Sequence, residues 1–422
     1  MKRAASLVSV VVLALLAGCG RAGSSTGASA SGAPSSPSSP DDPGTSPSSA
    51  SGGPSSSPSA PGAAPEPPDT GPPAVQFIGR FDQTDPAGPK AGWPGVRIIA
   101  VFDGTDVSAR LSEELGNAGP SEWDVAIDDQ WRPQSLVLAA GPHDYTLATN
   151  LPRGRHKVEL YRRTEGQNGV TQFMGYDFHG GVLRGPPPRL TRRLEIIGDS
   201  DVAGFGYRGA ITGTCLPGPD WAASLEDFRN AWGQRLATSL EAELHGTVFS
   251  GKGLYFNIWR PDTETFGILY PRSNPVDAQS VFDTTKWAPD AVVVSLGGND
   301  YNLGLPEDTG GPAPLDGFTE KAREMTTTLR TSYPQAHVFL MAYAVLTDEY
   351  PPGRLRRTNV VTALEQVTQE RNAAGDAHVH YVAPAPSTEA ELTACDGHGG
   401  PAYHARIAAY MSEQIKTAIG WK

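Results

Sequence analysis

The chain has no excess of positive charge: 34 Lys and Arg residues stand against 46 Asp and Glu residues, and the formal net charge is -12. That balance repels polyanions, which argues against nucleic acid and against an anionic membrane surface as partners. The sequence also lacks a P-loop, a dinucleotide-binding glycine fingerprint and the ligand spacing of a metal site. We therefore expect no cofactor and no metal.

Long apolar runs are scarce as well. The run at residues 7–16 is too short to cross a bilayer and follows Lys2 and Arg3, a pattern typical of a signal peptide. It ends in Leu-Ala-Gly-Cys, which resembles the bacterial lipobox, where the cysteine is lipidated and becomes the new N-terminus. We predict a signal peptide at residues 1–18 and an exported lipoprotein, on the cell surface or in the periplasm, anchored to the membrane by a lipid on Cys19. A plain secretory signal with an incidental cysteine is the alternative.

Residues 19–73 contain little besides Ser, Pro, Gly and Ala. Such a segment cannot bury enough apolar surface to offset its ordering entropy, so we predict a disordered tether.

Cysteine is rare, with three residues in the whole chain. If Cys19 carries a lipid, Cys215 and Cys395 are the thiols that remain, in an exported and oxidising compartment. A disulfide between them is the natural prediction, and two separate buried thiols are the alternative.

Two kinds of pattern divide the rest of the chain. Residues 74–190 show short strand-like runs between turn residues and little helical periodicity, which favours a jelly-roll β-sandwich. In residues 191–422, apolar strand candidates such as LEIIG and DAVVVSLGG alternate with predicted helices at 228–244, 317–332, 357–372 and 402–419. This alternation predicts an α/β domain built on a parallel sheet.

Four stretches place chemically useful residues where predicted strands end or a helix begins. Ser200 stands in Gly-Asp-Ser after LEIIG, and Gly251 follows the strand of GTVFSG. Asn299 lies in Gly-Gly-Asn-Asp after AVVVSL, and Asp396 stands two residues before His398, ahead of the last helix. Because open α/β sheets place their sites at the carboxyl ends of strands, all four stretches could converge on one rim.

These residue types suit nucleophilic catalysis. A serine hydroxyl needs a base to take its proton, and the imidazole needs an acceptor on its other nitrogen. The predicted roles are nucleophile for Ser200, base for His398 and orienting acid for Asp396. An oxyanion would be bound by the backbone amides of Ser200 and Gly251 and by the side-chain amide of Asn299.

Each stretch alone is also compatible with a plain turn or a solvated loop. Among the other histidines, His404 opens the final helix and is the main alternative base, although no carboxylate precedes it at a suitable spacing. His156 lies in a predicted strand, and we interpret it as structural.

Together and in this order, the four stretches resemble the four blocks of the SGNH (GDSL-like) hydrolase superfamily, and within it carbohydrate esterase family 2. The resemblance extends into the first domain, through IGRFDQTDPAGPKAGWPGVRIIAVFDGTDVSARL and LPRGRHKVELYRRTEG, and covers nearly all of residues 75–422. It implies an esterase that removes acetyl groups from plant-type polysaccharides or their oligosaccharides. It also implies the same roles for Ser200, His398, Gly251 and Asn299, with Asp396 as the third member in the triad form of the family; in other members a backbone carbonyl replaces the carboxylate and the site is a dyad.

In this family context, a bridge between Cys215 and Cys395 would hold the His398 loop beside the Ser200 loop. The chain departs from the family pattern at Gly397 and Gly399, where members commonly have an aromatic residue and a proline.

Two other functions stay open at this point: an SGNH esterase acting on other acylated surface glycans or on lipids, and a carbohydrate-binding lipoprotein with an idle hydrolase fold. We expect a monomer that takes an acetylated carbohydrate as its substrate.

Overall fold

The computed structural model describes residues 71–215, 221–306 and 309–422. The predicted signal peptide, Cys19 and the predicted tether as far as residue 70 lie outside the described residues. Within the described ranges, no helix is both long and apolar enough to cross a membrane.

The first domain consists of two antiparallel sheets. One sheet contains, in spatial order, β1 (Gln76–Ile78), β3 (Arg97–Gly104), β9 (Gly154–Arg162), β5 (Glu122–Ile127) and β6 (Gln130–Trp131), with β11 (Val182–Leu183) beside β3 and β7 (Leu136–Val137) beside β5. The other contains, in spatial order, β2 (Lys90–Ala91), β10 (Gly169–Asp177), β4 (Val107–Leu115) and β8 (Gly141–Ala148).

Alternating burial explains how these sheets form a core. Along β4, Val107, Ala109 and Leu111 are buried while the residues between them are more exposed, so one face of the strand packs inward. The indole of Trp123 on β5 is fully buried and donates to the Thr171 hydroxyl on β10 over 3.0 Å. The two sheets are therefore joined by a polar contact inside an apolar core.

The second domain is built on a parallel sheet. Its strands, in spatial order, are β13 (Ala242–Val248), β12 (Arg192–Gly198), β14 (Ala291–Ser295), β15 (His337–Met341) and β16 (Val379–Val382). All residues of β14 are buried, as expected of a strand covered on both faces. The predicted fold class, an antiparallel β-domain followed by an α/β domain, is confirmed.

Helices cover both faces of this sheet. They are α1 (Ser200–Ala203), α2 (Tyr207–Thr212), α3 (Trp221–Leu225), α4 (Trp232–Ser239), α5 (Phe266–Leu269), α6 (Gly298–Tyr301), α7 (Leu315–Ser332), α8 (Arg356–Ala373) and α9 (Pro401–Ile419). Helix α4 packs against α9, and α7 packs against α8. The chain moves from β12 outward to β13 in one direction and from β14 to β16 in the other, so right-handed crossovers place these two helix pairs on opposite faces.

The helix predicted at residues 228–244 is wrong at both ends, because α4 begins at Trp232 and ends at Ser239. Glu241 adopts a positive φ of 50°, which ends the helical path, and β13 begins at Ala242 with all seven residues buried. Burial in the sheet therefore overrides the helical pattern of this segment.

Buried polar contacts attach the first domain to the second. Arg80 Nη2 lies 2.6 Å from the Glu195 carboxylate on β12, and both side chains are almost completely buried. The indole of Trp93 donates to the Arg272 carbonyl over 3.2 Å. The interface thus contains specific hydrogen bonds in addition to apolar packing.

Candidate active site

The turn after β12 brings Ser200 to the edge of the sheet. Gly198 must lack a side chain, because a Cβ there would lie 2.1 Å from Val202 Cγ2. Asp199 then caps α1 by accepting a hydrogen bond from the Asp201 amide over 3.1 Å. Ser200 is the first residue of that helix and is half-buried.

His398 lies against Ser200, although 198 residues separate them in the chain. The distance from His398 Nε2 to Ser200 Oγ is 2.9 Å. The other ring nitrogen, Nδ1, lies 3.0 Å from the carbonyl oxygen of Cys395. A carbonyl can only accept, so Nδ1 carries the proton and Nε2 is free to accept the proton of the serine.

The ionisation state of His398 fits a base. Burial lowers its pKa below the ordinary range for histidine. The ring is therefore neutral at neutral pH and available to take a proton.

Asp396 does not occupy the position predicted for it. Its backbone is left-handed, with φ 54° and ψ 37°, and the residue is exposed. The Cys395 carbonyl lies at His398 Nδ1, where a triad carboxylate would lie. The structure therefore has the dyad geometry, in which the acceptor at His398 Nδ1 is the Cys395 carbonyl and not the Asp396 carboxylate.

The predicted disulfide is present. Cys215 and Cys395 are bonded, with their Cα atoms 5.6 Å apart and 180 residues between them. Gly209 lies so close that a Cβ there would meet the Cys395 sulfur at 2.3 Å. The bridge joins the segment after α2 to the residue that orients His398.

Gly251 lies in the turn that follows β13. Its φ is +79°, and an added Cβ would lie 2.9 Å from Ile258 Cγ2, so the turn requires glycine. In the described part of the chain, the backbone amides of Gly251 and Ser200 have no hydrogen-bond acceptor. Both amides are therefore available to an oxyanion.

Asn299, at the start of α6, connects these two turns. Its side-chain amide donates to Asp199 Oδ2 over 3.0 Å and to the Lys252 carbonyl over 2.8 Å. One partner precedes Ser200 and the other follows Gly251, so the structure brings the three predicted oxyanion-binding residues together. Since both amide hydrogens are engaged, Asn299 must share or exchange one of them to donate to an oxyanion.

Asp300, which follows Asn299, has a structural role that the sequence did not predict. Its buried carboxylate accepts the backbone amides of Leu254, Tyr255 and Phe256 over 3.2, 2.6 and 2.9 Å. Burial raises the pKa of Asp300 to about 6 despite these three donors. Asp300 therefore holds the segment that continues from the Gly251 turn.

The other two histidines considered have structural partners. His404 is buried, and its Nδ1 accepts the Trp232 amide over 3.1 Å, while burial lowers its pKa to about 3. His156 contacts Asp128 Oδ2 and the Pro152 carbonyl, each at 2.7 Å. Neither arrangement suits a base for Ser200.

Gly397 and Gly399, which depart from the family pattern, are glycines for different structural reasons. At Gly399, a Cβ would lie 2.0 Å from the Tyr403 ring, so packing excludes a larger residue. At Gly397, φ is +71° with open space around it, so only the backbone conformation favours glycine.

Across the described residues, no group of three or more His, Cys, Asp or Glu side chains is arranged to hold a metal ion.

Two family models match the chain over most of its described length. The model described as "Carbohydrate esterase 2 N-terminal" matches residues 77–188. The model described as "GDSL-like Lipase/Acylhydrolase family" matches residues 196–406, which is half of the chain.

Two relatives match the chain along most of its length. Cellulase/esterase CelE of Acetivibrio thermocellus is 27% identical over 354 residues, which cover 84% of this chain and 40% of CelE. An acetylxylan esterase / glucomannan deacetylase of Cellvibrio japonicus is 24% identical over 316 residues, which cover 74% of this chain and 81% of that protein. The chain thus spans about two fifths of the length of CelE.

Solved structures resemble the whole two-domain unit. A family two carbohydrate esterase from Clostridium thermocellum, in complex with cellohexaose, matches with a TM-score of 0.73 and 26% identity over 83% of this chain and 100% of that chain. A carbohydrate esterase family 2 enzyme with a carbohydrate binding domain, from Corynascus thermopiles, matches with a TM-score of 0.71 and 27% identity over 82% of this chain and 100% of that chain.

Proposed function

We propose, since this chain belongs to the GDSL-like lipase/acylhydrolase family and carries the N-terminal domain of carbohydrate esterase family 2, that it is a serine esterase that removes O-acetyl groups from polysaccharides or oligosaccharides. The observation that carries the proposal is the 2.9 Å contact between Ser200 Oγ and His398 Nε2. A nucleophile within hydrogen-bonding distance of a correctly oriented base is the minimum that acyl transfer requires.

Acylation begins when Ser200 Oγ attacks the acetyl carbonyl carbon and its proton moves to His398 Nε2. The carbonyl oxygen becomes an oxyanion, which the amides of Ser200 and Gly251 bind together with Asn299. The C–O bond to the sugar then breaks, and His398 returns its proton to the leaving sugar oxygen. The products of this half-reaction are the free sugar hydroxyl and an acetyl ester on Ser200.

Deacylation repeats these steps with water. His398 Nε2 takes a proton as the water oxygen attacks the acetyl carbonyl, and the same donors bind the second oxyanion. Collapse releases acetic acid, and His398 returns its proton to Ser200 Oγ. The imidazolium form is stabilised in both half-reactions by its Nδ1–H bond to the Cys395 carbonyl.

A carbohydrate substrate is supported by an exposed aromatic residue near the site. The Ile258 amide donates to the Gly251 carbonyl over 2.8 Å, and the next residue, Trp259, is 41% exposed. Trp259 pairs with Leu305, which is also exposed. A flat apolar side chain at this position can pack against a sugar ring. The name of one relative, acetylxylan esterase / glucomannan deacetylase, suggests the same class of substrate.

We further propose that the protein is exported and anchored through a lipid on Cys19, with the segment to residue 73 as a tether. The support is the sequence of the N-terminal region alone. The disulfide between Cys215 and Cys395 is compatible with an oxidising compartment.

The test is acetate release by the purified mature chain from acetylated xylan, acetylated glucomannan and a chitin-type polymer, with Ser200→Ala as the control. We expect release from at least one O-acetylated glycan by the wild type and several orders of magnitude less by the variant. Glycan binding without acetate release would make the protein a non-catalytic binding protein. Fatty-acid release from acylated lipids, without acetate release from glycans, would assign the site to lipids.

A further inference from the structure

A carboxylate of the first domain contacts the turn that contains Gly251. Glu165 lies three residues beyond the end of β9 and is completely buried. Its Oε1 accepts the backbone amide of Ser250 over 2.8 Å, although 85 residues separate the two in the chain. Ser250 immediately precedes Gly251, so a side chain of the β-domain reaches the neighbour of an oxyanion donor.

Other hydrogen bonds hold the two ends of the turn at residues 249–252 and its carbonyls, since the Gly251 carbonyl accepts the Ile258 amide and the Lys252 carbonyl accepts the Asn299 side chain, each over 2.8 Å. The Phe249 amide donates to the Gly198 carbonyl over 3.0 Å, and the Lys252 amide reaches the Phe249 carbonyl at 3.4 Å. Between these ends, the Ser250 amide is held by Glu165, and the Gly251 amide is left for a ligand. The amide next to that of Gly251 is thus held by an anchor that lies in the other domain.

The chain around Glu165 is itself held in place. The Arg162 guanidinium donates to the Glu165 carbonyl over 2.9 Å, and Gln167 Nε2 donates to the second carboxylate oxygen over 2.9 Å. Gly166 approaches Phe249 closely, since a Cβ there would lie 3.4 Å from the Phe249 ring. The segment that carries Glu165 is therefore fixed by its own hydrogen bonds and lies against the turn.

A second buried carboxyl group lies nearby and provides a contrast. Glu226 is completely buried, and neither of its carboxylate oxygens has a hydrogen-bond partner in the described part of the chain. Burial raises the pKa of Glu226 well above its ordinary range, and the charge of Glu165 raises it further. Burial raises the pKa of Glu165 to about 7, against the opposing effect of the Ser250 side chain and amide. Glu226 therefore holds a proton, while Glu165 is the member of the pair that accepts from the turn.

We propose that Glu165 is a positioning residue for the oxyanion site: its hydrogen bond to the Ser250 amide aims the Gly251 amide at the reacting carbonyl oxygen. This inference rests on the proposed esterase function. It gives the β-domain a part in catalysis, because the first domain supplies the anchor and the second supplies the donor.

The expected size of the effect follows from the donor that Glu165 supports. Loss of one oxyanion donor lowers kcat by about 10²–10³. A donor that is displaced but still present should cost less, roughly 10- to 100-fold. Because the oxyanion exists only near the transition state, KM should change little.

The test compares matched substitutions in the full mature chain with a small aryl acetate as substrate. Glu165→Met keeps the side-chain volume but removes the acceptor, and we expect kcat to fall about 10- to 100-fold with KM nearly unchanged. Glu165→Gln keeps an acceptor for the Ser250 amide and should stay within about threefold of the wild type. Glu226→Met removes the neighbouring buried carboxyl without touching the turn and should leave kcat unchanged.

Two results would overturn the proposal. One is wild-type kcat in Glu165→Met, and the other is an equal loss of kcat in Glu165→Met and Glu226→Met, which would indicate general damage to packing. If Glu165→Met does not fold, Glu165→Asp replaces it, because the shorter side chain keeps the charge but withdraws the acceptor. Wild-type kcat in folded Glu165→Asp would be equally decisive against the proposal.

Amide hydrogen exchange separates this inference from the proposed function. Peptides that contain residues 249–252 should exchange faster in Glu165→Met than in the wild type and Glu226→Met, whether or not the protein hydrolyses acetyl esters. If the wild type shows no esterase activity but exchange increases as expected, the proposed function fails and the structural anchor stands. Unchanged exchange in Glu165→Met, with an active wild type, would refute the anchor alone.

Discussion

The carbonyl oxygen of Cys395 accepts a hydrogen bond from His398 Nδ1 over 3.0 Å, and the sulfur of the same cysteine is bonded to Cys215. One residue thus sets the direction of the His398 ring through its backbone and ties that backbone to the segment after α2 through its sulfur. The position of His398 relative to Ser200 depends on a covalent link as well as on packing.

Removal of the disulfide should therefore reduce both stability and turnover. In Cys215→Ser the Cys395 carbonyl remains, but the loop that carries it is no longer tied. We expect the free energy of unfolding to fall by about 2–4 kcal/mol and kcat to fall several-fold with a smaller change in KM. Thermal unfolding and steady-state kinetics of the variant test this, with the reduced wild type as a second form of the unbridged protein. Unchanged kcat in a folded, unbridged protein would contradict a role for the bridge in positioning the base.

Asp396 should contribute little to catalysis. Because the Cys395 carbonyl occupies the Nδ1 position and Asp396 is exposed, Asp396→Asn should stay within about threefold of the wild-type kcat, whereas His398→Ala should lose several orders of magnitude. Steady-state hydrolysis of an aryl acetate by the two variants measures the difference. A loss in Asp396→Asn comparable to that in His398→Ala would restore the carboxylate to the orienting role.

Much of the fold and of the candidate site could be predicted because local requirements are visible in sequence. The strands are apolar, and residues such as Gly198 and Gly251 are glycines because no Cβ fits there or because φ is positive. Asp396 could not be judged in this way, since it adopts a left-handed backbone and is exposed, while the carbonyl of Cys395 lies at His398 Nδ1. Glu165 could not be found at all, because its contact with Ser250 crosses 85 residues and two domains.

The N-terminal anchor is tested by one substitution. In Cys19→Ala the residue that would carry the lipid is removed, and we expect the protein to leave the membrane fraction and become soluble after export. Cell fractionation of the native host measures this, and mass spectrometry of the mature wild type should show a modified Cys19. A membrane-bound Cys19→Ala protein, or an unmodified Cys19 in the mature chain, would contradict the proposed anchor.

Acid should destabilise the protein through His404. Burial lowers the pKa of His404 to about 3 in the folded chain, against about 6.5 when unfolded, so the folded state favours the neutral ring. The associated stability is complete above pH 6.5 and is lost progressively as the pH falls toward 3. At pH 5 the loss from this group is about 2 kcal/mol.

His404→Asn is the matched variant for this effect, because the Asn carbonyl oxygen can accept the Trp232 amide in place of Nδ1 without titrating. We expect the difference in unfolding free energy between the wild type and His404→Asn to shift in favour of the variant between pH 7.5 and pH 5. Denaturant unfolding at several pH values measures it. A difference that does not change with pH would mean that His404 titrates normally or that another group dominates.

Asn299 provides the sharpest test of the oxyanion site, because its amide is the side-chain donor among the three predicted groups. Asn299→Ala removes that donor, and we expect kcat to fall by about 10²–10³ with little change in KM, since the oxyanion forms only near the transition state. Asn302→Ala, one residue beyond the same short helix, is the control and should retain wild-type kcat. Steady-state kinetics on an aryl acetate compare the two. If Asn299→Ala loses less than threefold, the amides of Ser200 and Gly251 bind the oxyanion without it, and the hydrogen bonds of Asn299 to Asp199 and Lys252 are its whole function.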